Sequence, residues 1–202
     1  MTNESDIVGA LLKSNEAWAT SVVAKDPDFF KKSAEGQAPK VLWLGCSDSR
    51  VPESVLLAAM PGEILVHRNM GNQFRDEDGS SQGIIDYAAN HARVDHIFVV
   101  GHTRCGACRA CIEGAPPGPI ANFFVQLIEL AQAPHITELP KPEAIERLVR
   151  DNLTAQLMNV VNSKPVKNAW SDGRQLQVHG LLYHLETGRL EHTGMTFGPN
   201  HK

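Results

Sequence analysis

Two short stretches of this chain share a form that limits what it can fold into. Each is an apolar run that breaks at a small residue and then presents metal-binding or charged side chains. The first is Val41 to Pro52, VLWLGCSDSRVP, and the second is Val99 to Gly106, VVGHTRCG. Both read as a buried strand emptying into a site. In extended chain, side chains two apart share a face, so Cys46, Asp48 and Arg50 point into one cavity. The second run adds His102 and, three residues on, Cys105.

Helical patterns alternate with these strand patterns. Ile7, Val8, Leu11, Leu12, Trp18 and Val22 are spaced for an amphipathic helix over about Glu4 to Ala24. Asp26-Pro27 breaks it, Phe29 and Phe30 anchor a short helix, and Gly36 to Pro39 is a loop. Lys40 to Cys46 is the first buried strand, and a short helix follows Pro52. Ile64 to Arg68 is the second strand, and Gly71 to Gly79 reads as a polar loop. A helix over about Ser81 to Ala92 precedes the strand His96 to Val100. Helix resumes over Cys105 to Ile112, then Ala115 to Pro119 is a turn before a helix through about Ala131. Pro134 to Pro142 is a connector. A long helix carries Ile145, Leu148, Leu153, Leu157 and Val161, and Gln175 to Leu185 is a last strand with its turn at Glu186 to Gly188. The alternation predicts an α/β fold with a mostly parallel central β-sheet flanked by helices, whose sites lie at the carboxyl ends of strands. Both motif runs sit at such ends.

Two cysteines and one histidine from separate strand ends make a three-ligand zinc site with an open fourth position, the pattern of catalytic zinc. Asp48 is then either a partner of bound water or a fourth ligand. A lone cysteine after a buried strand is usually an inert small hydrophobe; the convergence of two similar runs on a full ligand set points to metal instead. Cys108 and Cys111 continue the spacing of three from Cys105, but no second tight pair completes a four-thiolate cluster, so they read as helix residues near the site. His91, His96, His135, His179, His184, His192 and His201 lack ligand spacing and read as surface or satisfied core groups.

The chain has 202 residues and 42% hydrophobic content, enough for one domain with a sizeable core. A formal net charge of -4 and no Lys/Arg cluster argue against a nucleic-acid partner. No apolar run reaches the roughly 18 residues of a membrane span, and the start carries acids where a leader would carry bases. The expectation is a cytoplasmic protein with no membrane partner, whose four cysteines stay reduced or hold metal.

The runs GCSDSR (Gly45 to Arg50) and GHTRCG (Gly101 to Gly106), with PGEILVHRN (Pro61 to Asn69) between them, resemble the β-class carbonic anhydrases. The similarity extends from about Gln37 to Tyr183. It implies reversible hydration of carbon dioxide to bicarbonate and a proton, with one zinc ion on Cys46, His102 and Cys105 and a dyad of Asp48 and Arg50. It marks Gln37, Ile64, Met70, Tyr87 and Gly106 as substrate-binding positions. It also implies one domain over residues 1–202, with an N-terminal helical arm (1–36) packing on a partner subunit, a zinc-binding core (37–202), and a homodimer or homotetramer. The chain departs from the family pattern at Gly106-Ala107, where Gly-Gly is usual, and at Met70-Gly71-Asn72, where Val-Ala-Asn is usual. Both departures bear on pocket width and substrate preference.

Arg50, rigid and bidentate, would hold Asp48 ionised and oriented; without it Asp48 would swing onto the zinc. Some members resemble one another in a regulatory bicarbonate site, and Trp43, Arg68 and Tyr183 stand at its positions. That site implies a closed state in which Asp48 displaces zinc-bound water, favoured by protons and bicarbonate. The alternatives are hydrolysis of carbonyl sulfide or carbon disulfide on the same scaffold, or a non-catalytic zinc-binding protein.

Overall fold

The computed structural model describes residues 6–114 and 117–200. Glu4, Ala115, Pro116 and His201 lie outside them. The chain falls into two compact units, Met1–Gln37 and Ala38–Lys202.

In the first unit, α1 (Ile7–Lys25) starts at Asp6, whose side chain accepts a 2.8 Å bond from the Gly9 amide. After the Asp26-Pro27 break comes α2 (Phe29–Glu35), where Phe30 meets Trp18 edge to face at 5.8 Å. Ile7, Val8, Leu11 and Leu12 are 63–69% exposed, so the apolar stripe read from the sequence is bare in a single chain.

The second unit is built on a five-stranded sheet ordered β2-β1-β3-β4-β5. The strands are β1 (Val41–Cys46), β2 (Ile64–Asn69), β3 (His96–His102), β4 (Gln177–His184) and β5 (Arg189–Phe197). The first four run parallel, and β5 pairs antiparallel with β4. A strand of a parallel sheet buries both faces, which is why VLWLGC is apolar throughout. Leu42, Leu44 and Cys46 join the main core, while Trp43 joins a cluster with Val51, Val100, Leu181 and Tyr183 on the opposite face. Gly45 lies under the Trp43 indole, where any Cβ would collide with Nε1.

Helices α3 (Glu53–Leu56), α4 (Gly79–Asp86), α5 (Gly106–Gly114), α6 (Pro119–Phe123), α7 (Val125–Ala131) and α8 (Pro134–Thr137) follow. Then come α9 (Lys141–Asn162) and α10 (Lys164–Ser171). Leu148, Leu153, Leu157 and Val160 bury one side of α9, which packs on β3 and β4.

Several elements differ from the sequence reading. The helix after the Gly71–Gly79 loop ends in a π turn, Tyr87–His91, closed by the Ala92 amide on Tyr87 O at 2.7 Å. The helix before Ala131 is broken at Phe124, and the proline-rich connector contains α8. Two further elements escaped it. In α10 the Ser-Lys-Pro start reads as a stop, yet Pro165 occupies the first turn, where proline is tolerated. In β5 the two-residue alternation is interrupted by Gly194 at φ +84° and by an irregular register opposite His179 and Leu181.

Candidate active site

Neighbouring parallel strands β1 and β3 end at Cys46 and His102, and Cys105 stands one residue before α5. The ligand atoms of these three buried residues all lie within 4.8 Å of one another. His102 Nδ1 faces the Thr103 carbonyl at 2.9 Å. A carbonyl only accepts, so Nδ1 carries the proton and Nε2 presents its lone pair. That Nε2 is buried and has no hydrogen-bond partner. A buried lone pair facing two sulfurs is costly unless something electron-poor sits between them, and a soft divalent metal fits that donor set. Without metal both thiols resist ionisation. Contact with the Cys105 sulfur and then burial push the Cys46 thiol up to about 12, and contact with Cys108 is the first cause pushing Cys105 to about 12.

Asp48 and Arg50 sit on the turn after β1. Arg50 donates from Nε to Asp48 Oδ1 at 2.9 Å and from Nη2 to Oδ2 at 2.7 Å, and its backbone amide adds a third bond to Oδ1 at 2.9 Å. These bonds, the side-chain pair foremost, hold the Asp48 carboxyl down at about 2. Oδ2 also lies 3.9 Å from His102 Nε2, so the carboxylate borders the ligand triad while engaged with Arg50. From β2, Arg68 donates to the carbonyls of Cys46 (2.8 Å) and Asp48 (2.5 Å) and pairs with Glu53 at 3.4 Å. Its guanidinium therefore fixes the backbone that carries the first ligand and the dyad.

A cleft of about 370 Å³ opens beside the triad, lined by Cys46, Asp48, Met70, Gly71, Gly106, Ala107, Ala110, Ile120 and Phe124. Of the pocket positions expected from the sequence, Met70 and Gly106 line it. Ile64, at the start of β2, and Tyr87, exposed at the start of the π turn, do not. Gln37 is exposed at the end of the first unit. Trp43 and Tyr183 share one buried cluster, and Trp43 Nε1 has no partner there. Arg68 stands on the neighbouring strand, its residue aligned with Gly45.

The cleft floor is held by groups the sequence reading passed over. Gly71 has φ +68°, and a Cβ on it would lie 3.0 Å from the Ala107 Cβ. Its carbonyl accepts from Gln73 Nε2 (2.8 Å) and Asn152 Nδ2 (2.9 Å). Gln156 accepts from the Phe74 amide at 2.7 Å. The stretch Gly71–Phe74 is thus a buried part of the loop read from the sequence, with α9 supplying hydrogen bonds to Gly71 and Phe74. The signal was present as Asn and Gln four apart on an otherwise apolar helix stripe.

A family model described as carbonic anhydrase matches residues 41–190. Over 191 residues the chain is 35% identical to the carbonic anhydrase of Emericella nidulans, covering 93% of this chain and 83% of that one. The chain belongs to the carbonic anhydrase family. The Coccomyxa β-carbonic anhydrase, solved in complex with acetazolamide, matches with a TM-score of 0.88 at 33% identity over 98% of this chain and 89% of that one. A tetrameric β-carbonic anhydrase of the ascomycete Sordaria macrospora matches with a TM-score of 0.90 at 31% identity over 96% of this chain and 100% of that one. These place this carbonic anhydrase in the β class.

Proposed function

We propose that this carbonic anhydrase hydrates carbon dioxide reversibly with one zinc ion held by Cys46 Sγ, His102 Nε2 and Cys105 Sγ. The observation that carries the reading is the buried, unpartnered Nε2 of His102 facing two thiols. Bound there, zinc supplies Lewis acidity that makes water a nucleophile near neutral pH. The chain supplies direction. Asp48 Oδ2, beside the triad, accepts a hydrogen bond from the attacking water and so aims its lone pair at the substrate carbon. Arg50 keeps that carboxylate ionised and stops it from turning toward His102 Nε2. Met70, Ala107, Ala110, Ile120 and Phe124 form an apolar wall suited to a small uncharged substrate. Stopped-flow hydration of carbon dioxide by the zinc-loaded chain tests this, with Cys46→Ala as the control. Turnover by a Cys46→Ala variant that keeps more than half its zinc would sink the ligand assignment.

The regulatory site belongs to the same proposal. The partnerless Trp43 Nε1, its cluster with Tyr183 and the neighbouring Arg68 support a bicarbonate site there. An anion competing for Arg68 would loosen its grip on the Cys46 and Asp48 carbonyls and free Asp48 from Arg50. The bare stripe of α1 supports a homodimer or tetramer.

A further inference from the structure

His102 and Cys105 are joined by two residues, and the second, Arg104, holds a left-handed φ of +54°. An L side chain adopts that conformation only where its surroundings impose it. The turn between β4 and β5 provides the constraint. Glu186 accepts from the Thr103 hydroxyl through Oε2 at 2.7 Å and from Arg104 Nε through Oε1 at 2.5 Å. The Thr103 oxygen in turn accepts from the Leu185 amide at 3.0 Å, and the Thr103 amide donates to Tyr183 O at 2.9 Å. The β4–β5 turn is itself closed by the Gly188 amide on His184 O at 2.8 Å, so Glu186 stands on a fixed base.

We propose that Glu186 is a positioning residue for the metal centre: its carboxylate clamps Thr103 and Arg104 so that His102 and Cys105 close on one ion. The clamp reaches the metal through its neighbours. Thr103 O fixes the His102 tautomer, and Arg104 O receives a long 3.5 Å bond from Arg50 Nη2. The Thr103 hydroxyl, and then Arg104, hold the Glu186 carboxyl down at about 2, so the clamp stays charged at neutral pH. The Arg104–Glu186 pair is exposed, with side chains 65% and 40% accessible, and an exposed pair by itself adds little to stability. What it holds is the geometry of the two-residue link between His102 and Cys105, one step further from the metal than a group bonded to a ligand directly.

This inference rests on the zinc reading of the triad, and the experiment separates the two. The zinc-loaded full chain is mixed with a chromophoric chelator and the rate of zinc transfer is followed. Glu186→Ala should release zinc about tenfold faster than wild type. Thr103→Val, which removes one donor to the same carboxylate, should move in the same direction. Glycine adopts a positive φ without strain, so adding Arg104→Gly to Glu186→Ala should return the rate to within about twofold of wild type. A carboxylate that merely stabilised the hairpin would not be rescued by glycine at position 104. Cobalt-substituted protein adds a spectroscopic readout, in which Glu186→Ala should change the thiolate charge-transfer band and the double variant should restore it. Wild-type release rates in both Glu186→Ala and Thr103→Val, or a double variant as leaky as Glu186→Ala, overturn the clamp. A wild-type chain that takes up no zinc overturns the metal reading beneath it.

Discussion

Three hydrogen bonds from one arginine, Arg50, fix the Asp48 carboxylate beside His102 Nε2. Asp48→Ala is expected to keep its zinc and lose about 10²-fold in hydration rate, because the attacking water loses its acceptor. Stopped-flow rates with metal content measured on the same sample check this. The carboxyl is depressed to about 2. Its contribution to folding is therefore fully present above the ordinary aspartate range and disappears as pH falls through about 2. Urea unfolding of the metal-free protein should show wild type losing its advantage over Asp48→Asn on that descent. The Cys46, His102 and Cys105 cluster and the Asp48–Arg50 pair were legible in the sequence because each sits on or just past a buried strand, where a polar side chain among apolar ones stands out. Glu186 was not, since it lies more than 80 residues from the turn it holds and reads as an ordinary turn acid.

Among the elements, α9 does more than cover the sheet. Its Asn152 and Gln156 bond the Gly71 carbonyl and the Phe74 amide of the buried stretch Gly71–Phe74, whose first residue lines the cleft. Asn152→Ala leaves the Gly71 carbonyl and Gln73 Nε2 each short of a partner, and is expected to cost about 1–3 kcal/mol. Equilibrium denaturation measures it. Gly71→Ala forces an L residue to φ +68° against Ala107 and should cost about 1–2 kcal/mol. Unchanged denaturant midpoints in both variants would mean the floor is not held this way. The run at Gly71–Gly79 read as a polar loop, and residues 71–78 form one, but the burial of Gly71–Phe74 was not legible because local composition carries no record of a helix 80 residues away. The edge strand β5 escaped for a related reason: its glycine and irregular register blur the alternation that marks a half-buried strand.

The whole molecule raises the question of assembly, because a stripe of Ile7, Val8, Leu11 and Leu12 lies exposed on α1. The expected outcome is an oligomer of wild type in size-exclusion chromatography with light scattering, and a shift toward monomer in Leu11→Glu/Leu12→Glu. A wild-type monomer at micromolar concentration would count against it. The regulatory reading also belongs at this scale, since it needs two states of the site. Trp43→Phe, which removes an unpartnered donor, should weaken bicarbonate inhibition more than it lowers the rate at high pH. Equal bicarbonate sensitivity in wild type and variant would remove that site. From the sequence alone came the α/β class, the strand-end placement of Cys46, His102 and Cys105, and the Asp48–Arg50 pair. All are local, set by hydrophobic run length and by side chains two or three positions apart. Strand order, the tautomer of His102, the buried floor under α9 and the Glu186 clamp were decided only by tertiary structure. Each depends on which distant groups meet, and a one-dimensional pattern of burial and polarity does not contain that pairing.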